Sequence, residues 1–191
     1  MPKSRIEAFT DAVIAIIMTL LVLELHEPNG PSWSAFLQME HKFIVYLISF
    51  VSLAIYWNNH HHLFQLVRKV DGWVLWANNF LILMMTLFPY VTAWVGDYPF
   101  SWPPQALYGL VTLGTDFAYY LLVRALVRAN GKESKIGQLF KHYPKSYLSI
   151  GLAIVALILG KLIAPIAVLV VNVLILLMWF CLLYTSPSPR D

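Results

Sequence analysis

The chain has 191 residues, of which 59% are hydrophobic and only 12% are charged, and its net charge at neutral pH is +3. A water-soluble domain of this length cannot bury so much apolar surface, so the composition excludes a soluble protein and predicts an integral membrane protein. The small positive charge does not call for a nucleic-acid partner, because Lys and Arg in membrane proteins report orientation. The single cysteine, Cys181, argues against a disulfide scaffold.

Six segments are apolar over about the 20 residues that a helix needs to cross a bilayer. Each is predicted to be helical, because backbone polar groups in lipid have to be satisfied within the segment. Pro28–Pro31 ends the first segment, Pro89 is expected to kink the third, and Ala164-Pro165 predicts a tight turn between the last two. The predicted spans are Arg5–Leu25, Phe43–Val67, Trp73–Val95, Gln105–Val127, Ser146–Ile163 and Pro165–Tyr184.

The distribution of Lys and Arg predicts the orientation of these spans. If the amino terminus lies inside, eleven basic residues fall on the inner side and two, Lys42 and Lys161, on the outer side. The pattern predicts a multi-pass protein with both termini in the cytoplasm. Residues 1–184 are interpreted as one transmembrane domain, and the polar tail over residues 185–191 as a candidate non-native segment. The inner set is Lys3, Arg5, Arg68, Lys69, Arg124, Arg128, Lys132, Lys135, Lys141, Lys145 and Arg190.

The first span begins with charged residues that are costly in lipid. On a helix Asp11 shares a face with Glu7 and points away from Arg5, so a buried Asp11 needs hydrogen-bond donors from another helix. The alternative is that these charges lie at the membrane interface, where charge costs little. In the second span, Asn59, His60 and His61 are candidate donors for Asp11 and its neighbours, and Asn78 and Asn79 of the third span are interpreted as forming hydrogen bonds between helices.

The histidines do not have the spacing of a metal site. Three consecutive residues, His60–His62, cannot share one helical face, so neither a metal nor any other cofactor is predicted. The sequence also lacks the nucleotide-binding and hydrolase motifs, and no nucleophile has a recognisable base. An intramembrane enzyme using these histidines and Asp116 is therefore a weak alternative, and the chain is predicted not to be an enzyme.

Asp116 lies midway along the fourth span. A carboxyl at that depth is either a functional group or a satisfied structural one, protonated or bonded to Thr115 or Tyr119, and both interpretations stay open. The functional interpretation is a proton- or sodium-coupled secondary transporter using Asp116 or Asp11. The absence of visible internal repeats counts against a transporter. The basic segment between Arg124 and Lys145 suits anionic lipid headgroups, but orientation already accounts for its charge, so a dedicated lipid site is the weaker interpretation.

The first span resembles the signature helix of the transmembrane protein 175 family of potassium channels, in its prokaryotic branch. That family is marked by R-x-x-x-F-S-D, which matches Arg5, Phe9, Thr10 and Asp11 here, with Thr10 in place of serine. The segment Asn59–His61 resembles the family's second helix, and Asn78 stands at the matching asparagine of its third.

The resemblance implies an all-α homotetramer with six transmembrane helices per subunit, in a bacterial or archaeal plasma membrane. The first helix then lines a central pore that passes potassium ions without a T-V-G-Y-G filter. Carried onto this sequence, the pore and gate residues are Ile16, Thr19, Leu20 and Leu23, and the residues that anchor the helix are Arg5, Phe9, Thr10, Asp11, His60, His61 and Asn78.

The spacing of the pore residues agrees with one stripe, since Ile16, Leu20 and Leu23 are i, i+4 and i+7. Every face of the first helix is apolar, however, so periodicity alone does not select this stripe. Without the resemblance, packing against lipid or protein would be the preferred interpretation of these residues.

Overall fold

The computed structural model describes residues 2–141 and 145–183, and the predicted tail over residues 185–191 lies outside them. Within those ranges the chain is all-helical and contains no strand. The helices are α1 (Lys3–Leu23), α2 (Trp33–Leu37), α3 (Glu40–Gln65), α4 (Gly72–Thr86), α5 (Phe88–Asp97), α6 (Trp102–Asn130), α7 (Lys135–Lys141), α8 (Lys145–Leu162) and α9 (Ala167–Leu183).

Four stretches of the described chain are long and apolar enough to cross a membrane. They are α1, α3, the combined stretch Gly72–Asp97 and α6, which correspond to the first four predicted spans. The last two predicted spans correspond to shorter apolar helices, whose described apolar parts are Ser146–Leu162 and Ala167–Trp179.

The third predicted span is interrupted next to its proline. Leu87 separates α4 from α5, and Pro89 sits in the first turn of α5. At that position the missing N–H of proline leaves no hydrogen bond unmade, because the first turn of a helix has no internal acceptors for its N–H groups. The expected kink is therefore present as a break between two helices that continue in sequence.

Two short helices, α2 and α7, were not predicted from the sequence. The hydroxyl of Ser32 accepts a hydrogen bond from the backbone N–H of Ala35 at 3.2 Å and caps α2. At the other end of the bundle α6 continues to Asn130 and is ended by Gly131, whose φ of 93° favours glycine. Much of the polar link after the fourth span is thus helical, because α7 follows within a few residues.

Helix α6 is the centre of the packing. It lies against α4, α5, α8 and α9, while α1 packs on α3, α4 and α5. In the apolar core, polar side chains form hydrogen bonds between the helices. The Tyr108 hydroxyl lies 3.1 Å from the Ser49 hydroxyl and accepts from Asn172 at 3.3 Å, and Thr92 donates to Ser49 at 2.7 Å. Such bonds specify helix contacts in lipid, where apolar burial between helices contributes little.

Contacts between helix termini define the two ends of the bundle. The Lys3 ammonium donates to the carbonyl of Phe64 at 2.7 Å, which brings the start of α1 to the end of α3. The Asn130 side chain accepts from the backbone N–H groups of Arg68 at 3.0 Å and Lys69 at 2.9 Å. These termini form what we call the basic end. At the opposite end Lys42 pairs with Asp97 at 2.6 Å.

Candidate functional site

Helix α1 has one face buried in its own subunit. The buried residues recur every three or four positions, which is the helical repeat, and one of them is a threonine. This face packs on α3, α4 and α5. Its residues are Ile6, Thr10, Ile14, Ile17 and Leu21.

A second apolar face of α1 is left uncovered by the described part of the chain. The exposed fractions are 58% for Ile16, 41% for Leu20 and 72% for Leu23. Thr19 is also exposed, and its hydroxyl donates to the carbonyl of Ile16 at 2.7 Å. The four residues assigned to the pore by resemblance thus lie on a part of α1 that none of the other described helices buries.

The buried face of α1 is fixed by a chain of three polar side chains. The amide nitrogen of Asn78 on α4 donates to the Thr10 hydroxyl at 2.9 Å, and the Asn78 amide oxygen lies 2.8 Å from Nε2 of His60 on α3. All three residues are at most 1% exposed. Since the amide oxygen only accepts, His60 Nε2 carries the hydrogen in this contact. The ring of His60 also stacks on Phe64 with centroids 4.4 Å apart.

Asp11 is held by a different residue from those expected. Its carboxylate accepts from the indole N–H of Trp57 at 2.9 Å, whereas the sequence predicted donors from Asn59, His60 and His61 and the family resemblance added Asn78. The reason is helical geometry. Asp11 follows Thr10 by one residue and therefore points about 100° away from it around α1, so its side chain meets an exposed residue of α3 and not the buried His60. The sequence did contain a signal for Trp57 as a partner, because it precedes the predicted donor His61 by four residues and so lies on the same face of α3. In the structure the two rings are stacked.

The remaining motif residues do not join the buried chain. His61 Nε2 lies 2.9 Å from the side-chain nitrogen of Gln65 one turn further along α3. Arg5 is exposed, and Phe9 is 53% exposed. Of the residues assigned to the anchor, the structure brings Thr10, His60 and Asn78 into one hydrogen-bonded chain and places Asp11 and His61 beside it, around Trp57.

Asp116 lies apart from the α1 face, between α3, α6, α8 and α9. Its Oδ1 accepts from the Tyr56 hydroxyl at 2.5 Å, and Oδ2 is buried with no hydrogen-bond partner in the described part of the chain. The expected Thr115 contact is not formed, because that hydroxyl donates to the carbonyl of Val111 in the preceding turn. The carboxyl borders a cavity of about 20 Å³, which is space for one water molecule; Asn59, Ser149 and Asn172 are among its lining residues.

The sequence of the chain is similar to those of known membrane channels. The family model described as "Endosomal/lysosomal potassium channel TMEM175" matches residues 5–89, which contain all but the first two residues of α1, the chain of three polar side chains and Pro89. A protein named potassium channel from Chryseobacterium sp. (strain P1-3) is 43% identical over 150 residues, covering 78% of each chain. The endosomal/lysosomal proton channel TMEM175 of Homo sapiens is 37% identical over 79 residues, which is 35% of this chain and 16% of the human protein.

The fold is also similar to a solved structure over nearly its whole length. The crystal structure of a lysosomal potassium-selective channel TMEM175 homolog from Chamaesiphon minutus matches with a TM-score of 0.84 at 25% identity. The match covers 96% of this chain and 98% of the homolog. The similarity therefore extends beyond the region of the motifs to the last two helices.

Proposed function

Since this chain belongs to the TMEM175 family of potassium channels, we propose that it forms a potassium-permeable cation channel in a bacterial or archaeal plasma membrane. Four copies surround one axis, each crossing the membrane six times with both termini in the cytoplasm, and α1 lines the pore. Such closed cyclic symmetry is the usual form of a soluble or membrane homo-oligomer. Residues 1–184 act as one domain in this arrangement.

The observation that carries the proposal is the uncovered apolar face of α1. Ile16, Leu20 and Leu23 are left exposed by the described helices, although the same helix buries a second apolar face among them. Four such faces turned to a common axis give stacked apolar rings. Narrow apolar rings exclude water, and a pore without water does not pass ions.

Opening then requires the four α1 helices to tilt or rotate until the rings widen and hydrate. Thr19 contributes an oxygen beside the rings: its hydrogen is donated to the Ile16 carbonyl, which leaves the oxygen lone pairs available to a cation. Selectivity for potassium is modest in this mechanism, because no carbonyl cage replaces the hydration shell. Glu24 and Glu27 at the outer mouth raise the local cation concentration.

A closed resting pore of this kind needs α1 to be held firmly in its own subunit. The hydrogen-bonded chain of Thr10, Asn78 and His60 supplies that attachment on the side away from the proposed pore. Thr10, Asn78 and His60 thus act as an anchor of the pore helix, on a face turned away from the proposed conduction path.

The test is a potassium flux assay on purified protein in liposomes, with the oligomer size measured on the same sample. Leu23→Ala is expected to leave the tetramer assembled and to change its conductance, because it widens one ring. Leu174→Ala is the matched control, since Leu174 is a 57% exposed leucine on α9, away from the proposed pore. A monomeric protein, or equal flux changes in both variants, would rule out the pore assignment.

A proton- or sodium-coupled transporter is the second candidate, and Asp116 is the observation that favours it. Its carboxyl is buried, keeps one oxygen without a partner in the described part of the chain and borders a cavity that has space for one water molecule. Asp11 fits that role less well, because it is partly exposed and bonded to Trp57. Flux that saturates with potassium, is coupled to a second solute and is abolished in Asp116→Asn supports the transporter. Uncoupled flux that persists in Asp116→Asn supports the channel.

A further inference from the structure

A large groove lies at the basic end of the bundle, on the outside of α4 and α6. Its volume is about 1170 Å³, which exceeds that of most small-molecule sites. Aromatic and basic side chains line it, and it is open, because Trp73 is 65% and Trp76 74% exposed. We call it the basic groove, and its main lining residues are Trp73, Trp76, Phe80, Arg124, Arg128 and Phe140.

The position of the basic groove fits the level of lipid headgroups. Arg124 and Arg128 occupy the last two turns of α6, which ends at Asn130 beside Arg68 and Lys69. Towards the middle of the bundle the groove continues along Trp76 and Phe80 of α4, so it has a charged end and an apolar end. Trp and Arg at such a boundary are typical of the membrane interface.

Among the described residues, each of the two arginines contacts an aromatic ring and donates one side-chain hydrogen bond, which leaves further N–H donors. The Arg128 guanidinium lies 5.3 Å from the centre of the Trp73 ring and donates one bond to Asp71 at 3.4 Å. Arg124 donates one bond to the Tyr120 hydroxyl at 3.3 Å. A guanidinium has five N–H donors in a planar fork that matches phosphate oxygens, so each arginine retains donors for an anionic group.

The charge balance of the basic groove is positive. Lys132 adds a third cation at its rim, against Glu133 on the lining and Asp71 beside Arg128. The pKa of Asp71 lies below its usual value, chiefly because the backbone N–H of Val74 donates to the carboxylate and further because Arg128 is near. Asp71 is therefore an anion that is already committed to capping α4 and to Arg128.

From this arrangement we propose that the basic groove binds an anionic phospholipid of the cytoplasmic leaflet. The phosphate lies on Arg124 and Arg128, and an acyl chain lies along Trp76 and Phe80. Anionic lipids of the inner leaflet favour basic side chains near the surface, and a groove with basic residues between membrane helices concentrates that attraction at one place. The proposal uses the orientation given above but is independent of conduction, so it stands or falls separately from the channel function.

The experiment measures lipid retained by the full-length protein purified in detergent. The protein is mixed with phosphatidylglycerol or phosphatidylcholine of the same acyl chains, and bound lipid is quantified by native mass spectrometry together with the thermal midpoint. We expect phosphatidylglycerol to be retained roughly tenfold over phosphatidylcholine and to raise the midpoint. We expect the double variant Arg124→Gln with Arg128→Gln to lose that preference.

Lys161→Gln is the matched control. Lys161 lies over the Trp102 ring at 5.3 Å in a smaller groove at the opposite end of the bundle, so its substitution removes a cation in a similar setting. Retention in this control with loss in the double variant supports the proposal. Equal retention of the two lipids by the wild type, or undiminished preference in the double variant, overturns it.

Two further outcomes are decided by the same samples. If the double variant does not give monodisperse protein, Arg124→Gln alone decides, because in the described part of the chain the Arg124 side chain donates one hydrogen bond, to the Tyr120 hydroxyl at the surface. If lipid-free wild type is an oligomer and the arginine variants are monomers, the basic groove is a contact between subunits and the lipid proposal is wrong.

Discussion

At the scale of single residues, the amide of Asn78 is the connection between three helices. It donates to Thr10 on α1 and accepts from His60 on α3, and all of these groups are buried. In an apolar environment a polar group that loses its partner has no water to replace it. The next residue, Asn79, is exposed, so two asparagines that are adjacent in the sequence differ in burial.

This difference gives the first prediction. Asn78→Leu is expected to destabilise the protein by about 1–3 kcal/mol, because the Thr10 hydroxyl and His60 Nε2 both lose their partner. The lower part of that range is expected, since hydrogen bonds between membrane helices average about 0.6 kcal/mol. Thermal unfolding in detergent measures the effect, and Asn79→Leu is the control. Equal shifts in the two variants would contradict the role of the chain.

At the scale of elements, close contact with α6 depends on a glycine. A Cβ at Gly109 would lie 2.7 Å from Leu157 Cδ2 of α8 and 2.9 Å from Val168 Cγ1 of α9, both closer than carbon atoms approach. Small residues let membrane helices come together in this way, and dispersion contacts between them supply much of the association energy.

The second prediction follows from this contact. Gly109→Ala is expected to lower the thermal midpoint, corresponding to about 1–3 kcal/mol of overpacking, because side chains of two helices have to move. Gly151→Ala on α8 is the matched control: its Cβ would meet nothing within 4 Å, and alanine is the better helix former. The midpoint of the control is expected to stay unchanged or rise. A fall of the same size in the control would show that the effect is not one of packing.

At the scale of the whole molecule, the two apolar faces of α1 differ in burial. One is buried against α3, α4 and α5, and the other stays exposed in the described part of the chain. Asp11 is partly exposed and is bonded to Trp57 of α3. The packing of α1 on α3, α4 and α5 therefore decides which of its side chains stay exposed.

The third prediction concerns the formation of the proposed tetramer. Asp11→Ala is expected to give poorly assembled protein, because the Trp57 N–H loses its acceptor and the orientation of α1 is less restricted. Size measurement in detergent or lipid nanodiscs checks this, with Glu24→Ala at the exposed far end of α1 as the control. Well-assembled Asp11→Ala protein in which only ion selectivity has changed would place Asp11 in the conduction path instead.

The sequence by itself determined the class of protein, the family and the approximate helices. Apolar length and proline positions depend only on local composition, and the signature around Asp11 identifies the family without any coordinates; the comparisons confirmed that resemblance. Asn78 and His60 were singled out because polar residues in apolar spans are rare and need partners.

Only the tertiary structure decided which polar group meets which. Trp57 as the partner of Asp11 and Tyr56 as the partner of Asp116 depend on how α3 is rotated against α1 and α6, and a helix that is apolar all round leaves that rotation unspecified in the sequence. The same holds for the exposed stripe of α1 and for the basic groove. Both are surfaces left over after packing, and they exist only once the neighbouring helices are in place.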